Sequence, residues 1–232
     1  MIIAHRGISF DLPENSLSAF NASWAVGVDG IEGDFHLTRD GSIVCIHDDN
    51  TSRVCNKNLV ICNSTLQELK ELNLQCEGKD HLNIKIPTLT EVLKTVPSGK
   101  KIFIEIKCGV EILSPLVKEL SRSKINSNQV VIISFDRQVV KELKEMAPEY
   151  KALLLYSYEE GREVSSLINE MFDIKADGIG TDNELSKEFV EKVIISGLEY
   201  HSWTIDNADT ANQLISWGSN SITTNEPELL IQ

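Results

Sequence analysis

Residues 101–135 read KIFIEIKCGVEILSPLVKELSRSKINSNQVVIISF. KIFIEIK and VVIISF are short runs rich in β-branched residues, the composition of buried strands. EILSPLVKELSRS between them carries a helical pattern. A strand, a helix and a second strand in this order describe a right-handed crossover between parallel neighbours.

The same unit recurs on both sides. Downstream, RQVVKELKEMA, EVSSLINEMF, SKEFVEKVIIS and ADTANQLISW read as helices. KALLLYS, the short strand in DGIGTD, EYHSWTI and SITTN alternate with them as strands, and EPELLIQ reads as a closing half-helix. Upstream, TLTEVLKTV reads as a helix, and Ile2 to Ala4 as the first strand. PENS offers a helix start before a stripe of Leu17, Phe20 and Trp24 that stops near Gly27. GIEGDFHL and IVCIHD, joined by a turn at Arg39-Asp40-Gly41, form a hairpin, the one break in the alternation. With the hairpin counted once there are eight strand–helix units. Eight parallel units in 232 residues predict a single (β/α)8 TIM barrel spanning 1–232. Residues 49–87 are irregular apart from TLQELKEL and are expected to form an insertion over the barrel mouth.

The net charge of −13 argues against nucleic acid or an anionic membrane as a partner reached by bulk attraction. An anionic substrate then needs a local site of opposite sign. No run approaches the roughly 18 apolar residues of a membrane span. The start lacks a basic lead followed by an apolar run, so a cytoplasmic location is expected. Cys45, Cys55, Cys62, Cys76 and Cys108 match neither a zinc site nor a redox pair and read as free thiols, although three of them share one irregular stretch.

In such a barrel the chemistry sits at the C-terminal ends of the strands. The first strand ends at His5-Arg6. Glu32 and Asp34 lie two apart on one face of the next strand, and Glu105 and Lys107 repeat that spacing. The hairpin ends at His47-Asp48. Three carboxylates converging on one face repel unless a cation bridges them, and an all-oxygen set suits a hard ion such as Mg²⁺ or Ca²⁺. With an ion present, Arg6 and Lys107 fit a phosphate, one as a fork and one as a point charge. Two histidines supply a base and an acid that titrate near neutrality. The combination points to metal-assisted phosphodiester chemistry.

HRG, PENS, IEGDFHLTRDG, IVCIHD, IPTLTEVL, IEIK, SWTI and TNEP occur in the order found in the glycerophosphodiester phosphodiesterase family, phosphodiesterase barrels similar to phosphatidylinositol phospholipase C. The resemblance covers nearly the whole chain. It implies a (β/α)8 barrel that hydrolyses small-molecule glycerophosphodiesters to glycerol 3-phosphate and an alcohol. It implies one divalent cation, Mg²⁺ or Ca²⁺, held by Glu32, Asp34 and Glu105. It matches His5 and His47 to the family's base and acid, and Arg6 and Lys107 to its phosphate-binding cations. Two alternatives accompany it: a related barrel phospholipase or lysophospholipase, and a non-catalytic protein that binds a glycerophosphate ester. No aromatic-rich or basic loop suggests stable membrane association.

Three positions depart from the family pattern. Gly33 replaces a larger apolar residue and is expected to point outward to the helices. Asp206 stands where Asn is usual, and Asn225 where Asp is usual. Asn225 reads as an N-cap for the last helix, and the two side chains are expected to face each other and share a hydrogen bond. PENS reads as structural, with Asn15 or Ser16 capping the helix and Glu14 bracing Arg6. Trp203 is open to two readings, a core side chain or a substrate-binding wall for the glycerol moiety. Phe135 is core or rim, and His201 faces inward without a catalytic role. His36 and His81 are left unassigned.

Overall fold

The alternation of the sequence closes on itself in space. The computed structural model describes residues 1–9, 12–75, 83–157, 162–182 and 186–231. Cys76, His81, Gln232 and part of the 49–87 segment lie outside the described residues. The strands are β1 (Ile2–Ala4), β2 (Gly30–Leu37), β3 (Ile43–Cys45), β4 (Lys101–Ile106), β5 (Val130–Ser134), β6 (Lys151–Tyr156), β7 (Gly178–Thr181), β8 (Glu199–Ser202) and β9 (Ser221–Thr224). The helices are α1 (Leu17–Val26), α2 (Leu66–Glu71), α3 (Leu89–Leu93), α4 (Leu113–Arg122), α5 (Arg137–Met146), α6 (Val164–Asp173), α7 (Lys187–Ile195) and α8 (Ala208–Ser216). Eight parallel strands form a ring, β1-β9-β8-β7-β6-β5-β4-β2 and back to β1. The predicted TIM barrel is therefore the observed fold. Among the described residues no helix is long and apolar enough to cross a membrane.

Alternation along each strand sorts side chains between two cores. Ile31 and Phe35 of β2 and Ile102, Ile104 and Ile106 of β4 face outward and pack under the helices. Phe103 joins Ile3, Val131, Ile133, Leu153 and Leu155 inside the ring. Glu32 and Asp34 alternate with Ile31, Gly33 and Phe35, so they take the inward parity. The parallel register sets Asp34 opposite Glu105. A Cβ at Gly33 would lie 3.1 Å from both the Phe20 ring and Cys45 Sγ, which bears out its expected outward direction.

Local signals act where the sequence placed them. Ser16 caps α1 by accepting from Ala19 N, and Gly27 ends the helix at φ 95°. Thr65 with Glu68 and Thr88 with Glu91 form capping boxes at α2 and α3. Two helices fall short of expectation. α3 stops at Leu93, because Pro97 and the β-branched pair Thr95-Val96 before it disfavour another turn. The closing segment makes one 3₁₀ turn, Pro227–Leu229, since so short a piece cannot offset the cost of helix nucleation.

β3 runs antiparallel to β2 and stands outside the ring. Its outer side is covered: Cys45 N donates to Pro87 O at 2.8 Å, and Val44 bridges Thr88. The segment after β3 has a small apolar core of its own, which gathers Val54, Ile61, Leu69, Leu72 and Leu74 against Val44 and Ile46. Cys45, Cys55, Cys62 and Cys108 are free thiols.

Candidate active site

The site is assembled at the C-terminal rim by a tight turn after β1. Arg6 takes φ 56° and Gly7 φ 78°. A Cβ on Gly7 would lie 2.8 Å from Ala19, so this position needs glycine both for its backbone angle and for the approach of α1. The turn brings Arg6 N to donate to Glu32 Oε2 at 3.1 Å and sets Arg6 Nε 3.2 Å from Asp34 Oδ2. Glu14 braces the same guanidinium at 3.1 Å, as expected.

Glu32, Asp34 and Glu105 are all buried, and one carboxylate oxygen from each lies within 4.8 Å of the others. Glu32 Oε1 and Asp34 Oδ1 are buried without a hydrogen-bond partner. Burial and the neighbouring charges of Asp34 and Glu105 push Glu32 well above the usual carboxylate range. Burial and Asp34 likewise raise Glu105. Such a set of hard, unpaired oxygens fits a divalent cation. Lys107 donates to Glu105 Oε1 at 2.7 Å and lies 3.7 Å from Asp34 Oδ1. Burial works against its charge, but the two carboxylates win and hold its pKa above the ordinary value.

The two histidines arrive with different partners. His5 Nδ1 lies 2.8 Å from Asn225 Oδ1. Burial and the charge of Arg6 pull His5 below its ordinary pKa, which keeps the ring neutral and able to accept a proton. His47 Nδ1 lies 2.6 Å from Asp48 Oδ1, and its Nε2 lies 3.3 Å from Lys107 Nζ. Hydrogen bonds from Arg53, opposed by burial and helped by His47, hold Asp48 at a pKa of about 2. A carboxylate so firmly ionised anchors the His47 ring through Nδ1 and leaves Nε2 facing the rim beside Lys107.

Three positions act otherwise than their sequence suggests. Asn15 does not cap α1. It sits at φ 55°, and its side chain turns to the site. Asn15 Nδ2 donates to Asp34 Oδ2 at 2.7 Å, while its Oδ1 accepts from Asp34 N at 3.1 Å and from Cys45 Sγ at 3.1 Å. Ser16, in extended conformation, takes the cap instead. Asn225 does not cap the last turn either, where Glu226 holds that position without a side-chain bond. Its side chain is committed to His5 and, as expected, to Asp206, donating to Asp206 Oδ2 at 2.8 Å. Arg53 carries no motif signal, since the bridge it makes reaches back 39 positions to Glu14. It donates to both Glu14 oxygens at 2.8 Å and to Asp48 at 2.7 Å. One guanidinium thus joins the brace of Arg6 to the brace of His47.

Trp203 follows β8 and lines a pocket with His5, Glu32, Glu105 and His201. Its indole N–H is buried without a partner. Phe135 is exposed at the rim and meets Trp203 edge-on at 5.5 Å. His201 faces inward, and both ring nitrogens are engaged, by Ser221 Oγ at 2.6 Å and Glu199 at 3.1 Å. His36 meets the His47 carbonyl at 3.1 Å. A roomier cleft of about 790 Å³ between α3 and α4 includes Lys94, Arg122 and Lys124 but gathers no comparable set of reactive groups.

The glycerophosphoryl diester phosphodiesterase family profile matches residues 5–229. A glycerophosphodiester phosphodiesterase of Caldanaerobacter subterraneus subsp. tengcongensis is 33% identical over 246 residues, covering 100% of this chain and 96% of the relative. One of Bacillus subtilis is 26% identical, covering 99% and 84%. Among solved structures, a phosphodiesterase of Oleispira antarctica in complex with its product sn-glycerol-3-phosphate superposes with a TM-score of 0.90 at 23% identity, covering 99% and 94%.

Proposed function

The chain belongs to the glycerophosphoryl diester phosphodiesterase family, and on that premise we propose that it hydrolyses glycerophosphodiesters to glycerol 3-phosphate and an alcohol. The observation that carries this reading is the buried carboxylate triad with two orphaned oxygens, bordered by two cations and two differently partnered histidines. Glu32, Asp34 and Glu105 would hold one divalent cation, Mg²⁺ or Ca²⁺. When bound, the ion supplies positive charge that polarises a phosphate oxygen. Arg6 and Lys107 bind the remaining phosphate oxygens. His5 takes a proton from the nucleophile, and His47 gives one to the departing alkoxide. The nucleophile is water, or the neighbouring glycerol hydroxyl, which forms a cyclic phosphate that water then opens to glycerol 3-phosphate. Trp203 offers the glycerol an apolar wall. A panel of glycerophosphodiesters and intact phospholipids, assayed with Mg²⁺, Ca²⁺, Mn²⁺ or EDTA, tests this reading. Metal-dependent release of glycerol 3-phosphate is the expected result, and cleavage of phospholipids alone contradicts it.

Two further outcomes follow from the braces. Arg53→Ala leaves Glu14 and Asp48 without their shared donor, so kcat should fall about 10–100-fold, the usual effect of losing an outer-shell partner. Arg53→Lys should not restore it, because a point charge cannot bridge two carboxylates as the fork does. Steady-state rates of both variants decide the matter, and wild-type kcat in either contradicts the brace. Asn15→Ala strips Asp34 of one donor and leaves its buried N–H unpaired, which should cost roughly 1–3 kcal/mol of stability. Denaturant titration measures this, and an unchanged midpoint would show that the pairing adds nothing.

A further inference from the structure

The contacts of Asn225 have a direction. Three donors converge on Asp206: Thr224 Oγ1 at 2.9 Å and Asn225 N at 2.7 Å on Oδ1, and Asn225 Nδ2 at 2.8 Å on Oδ2. An ionised carboxylate only accepts, so it selects the nitrogen end of the Asn225 amide. The oxygen end must then face His5. An amide oxygen accepts, so the proton of the neutral ring sits on Nδ1 and leaves Nε2 as a bare lone pair. The His5 backbone N–H, bonded to Thr224 O at 2.9 Å, holds the ring on the same strand end.

We propose that Asp206 is a positioning residue that acts through Asn225 to fix His5 in the tautomer with Nε2 unprotonated. This rests on the reading of His5 as the base. Arg6, Asp34 and Glu14 also act electrostatically on His5, but Asn225 is the hydrogen-bond partner recorded for its ring and hence the group that orders its nitrogens.

Asp206→Asn is nearly isosteric. Its amide oxygen keeps the bonds from Thr224 Oγ1 and Asn225 N, while its NH₂ replaces the Oδ2 acceptor. Two NH₂ groups cannot face each other, so Asn225 turns over and donates to His5. The ring proton moves to Nε2, and the base is lost. Adding Asn225→Asp restores an acceptor for His5 Nδ1, now supported by the amide at position 206.

The decisive measurement is the ¹⁵N NMR spectrum of the histidine rings in the Mg²⁺-loaded protein, with His5 assigned by comparison with His5→Gln. In the native chain His5 Nδ1 should show the shift of a protonated nitrogen and Nε2 that of a bare one. The two should exchange in Asp206→Asn and revert in the double variant. In parallel, kcat should fall about 10²-fold in the single variant with little change in KM, and recover in the double. A native ring with Nδ1 bare, or an Asp206→Asn variant that keeps both the native ring shifts and the native kcat, overturns the proposal. The ring signals do not require turnover. Should no glycerophosphodiester be cleaved, the proposed function fails while the tautomer assignment is still decided.

Discussion

His47→Ala should slow hydrolysis of glycerophosphocholine by about 10²–10⁴-fold, the contribution of a positioned acid, and leave a nitrophenyl phosphodiester far less affected. The choline alkoxide is a poor leaving group and needs a proton as its P–O bond breaks, whereas a nitrophenolate departs unaided. The structure equips His47 for this task. Asp48, with a pKa of about 2, stays ionised at 2.6 Å from Nδ1 and fixes the orientation of the ring. His5 has a neutral amide as its partner and a lowered pKa, as suits a base. His5→Ala should therefore lose comparably on both substrates. The values of kcat for both variants on both substrates, at matched metal saturation, give the answer. Leaving-group dependence at His5 would exchange the two roles, and its absence from both would assign the acid elsewhere.

Chelation should abolish turnover while the barrel stays folded, and Glu105→Gln should weaken metal binding by a large factor. Calorimetric titration of that variant giving native affinity would remove Glu105 from the ligand set. The buried triad also sets the direction of the pH dependence. Burial and mutual repulsion raise Glu32 and Glu105 in the ion-free fold. A carboxyl with a raised folded pKa binds its proton more tightly folded than unfolded, so ion-free stability falls as pH climbs above the unfolded value of about 4.3. A divalent ion removes that repulsion and binds the deprotonated ligands. The rise in Tm on adding Mg²⁺ should accordingly grow as the pH climbs above the usual carboxylate range. At one hundred times Kd the stabilisation is about 2.7 kcal/mol. A metal-induced shift that shrinks over that climb would contradict the assignment.

Much of this site was legible because it depends on strand periodicity alone. Glu32 and Asp34 two apart, set among Ile31 and Phe35, announce which face is inward, and the barrel then aligns Asp34 with Glu105. Arg53, Asn15 and Asn225 were not legible in the same way. Each makes its decisive contact with a residue distant in sequence, and Asn at a helix start has an ordinary local explanation. For Asn15 that explanation was displaced by a backbone in the left-handed region, which Asn tolerates and which hands the cap to Ser16. The side-chain bond between Asn225 and Asp206 was legible from their reciprocal exchange against the family pattern, but the contact with His5 was not.

The hairpin strand β3 has a consequence for self-association. A closed ring of strands presents no free row of backbone donors and acceptors, whereas a strand added outside the ring creates one. Here that row is short and buried, and it is occupied by Pro87 and Thr88 from the chain's own return toward β4. The extra strand that delivers His47 to the rim therefore comes with its own cover. A substitution that lifts 86–88 away would expose a template for strand pairing between molecules, and its first symptom would be lost solubility, ahead of any loss of the catalytic groups.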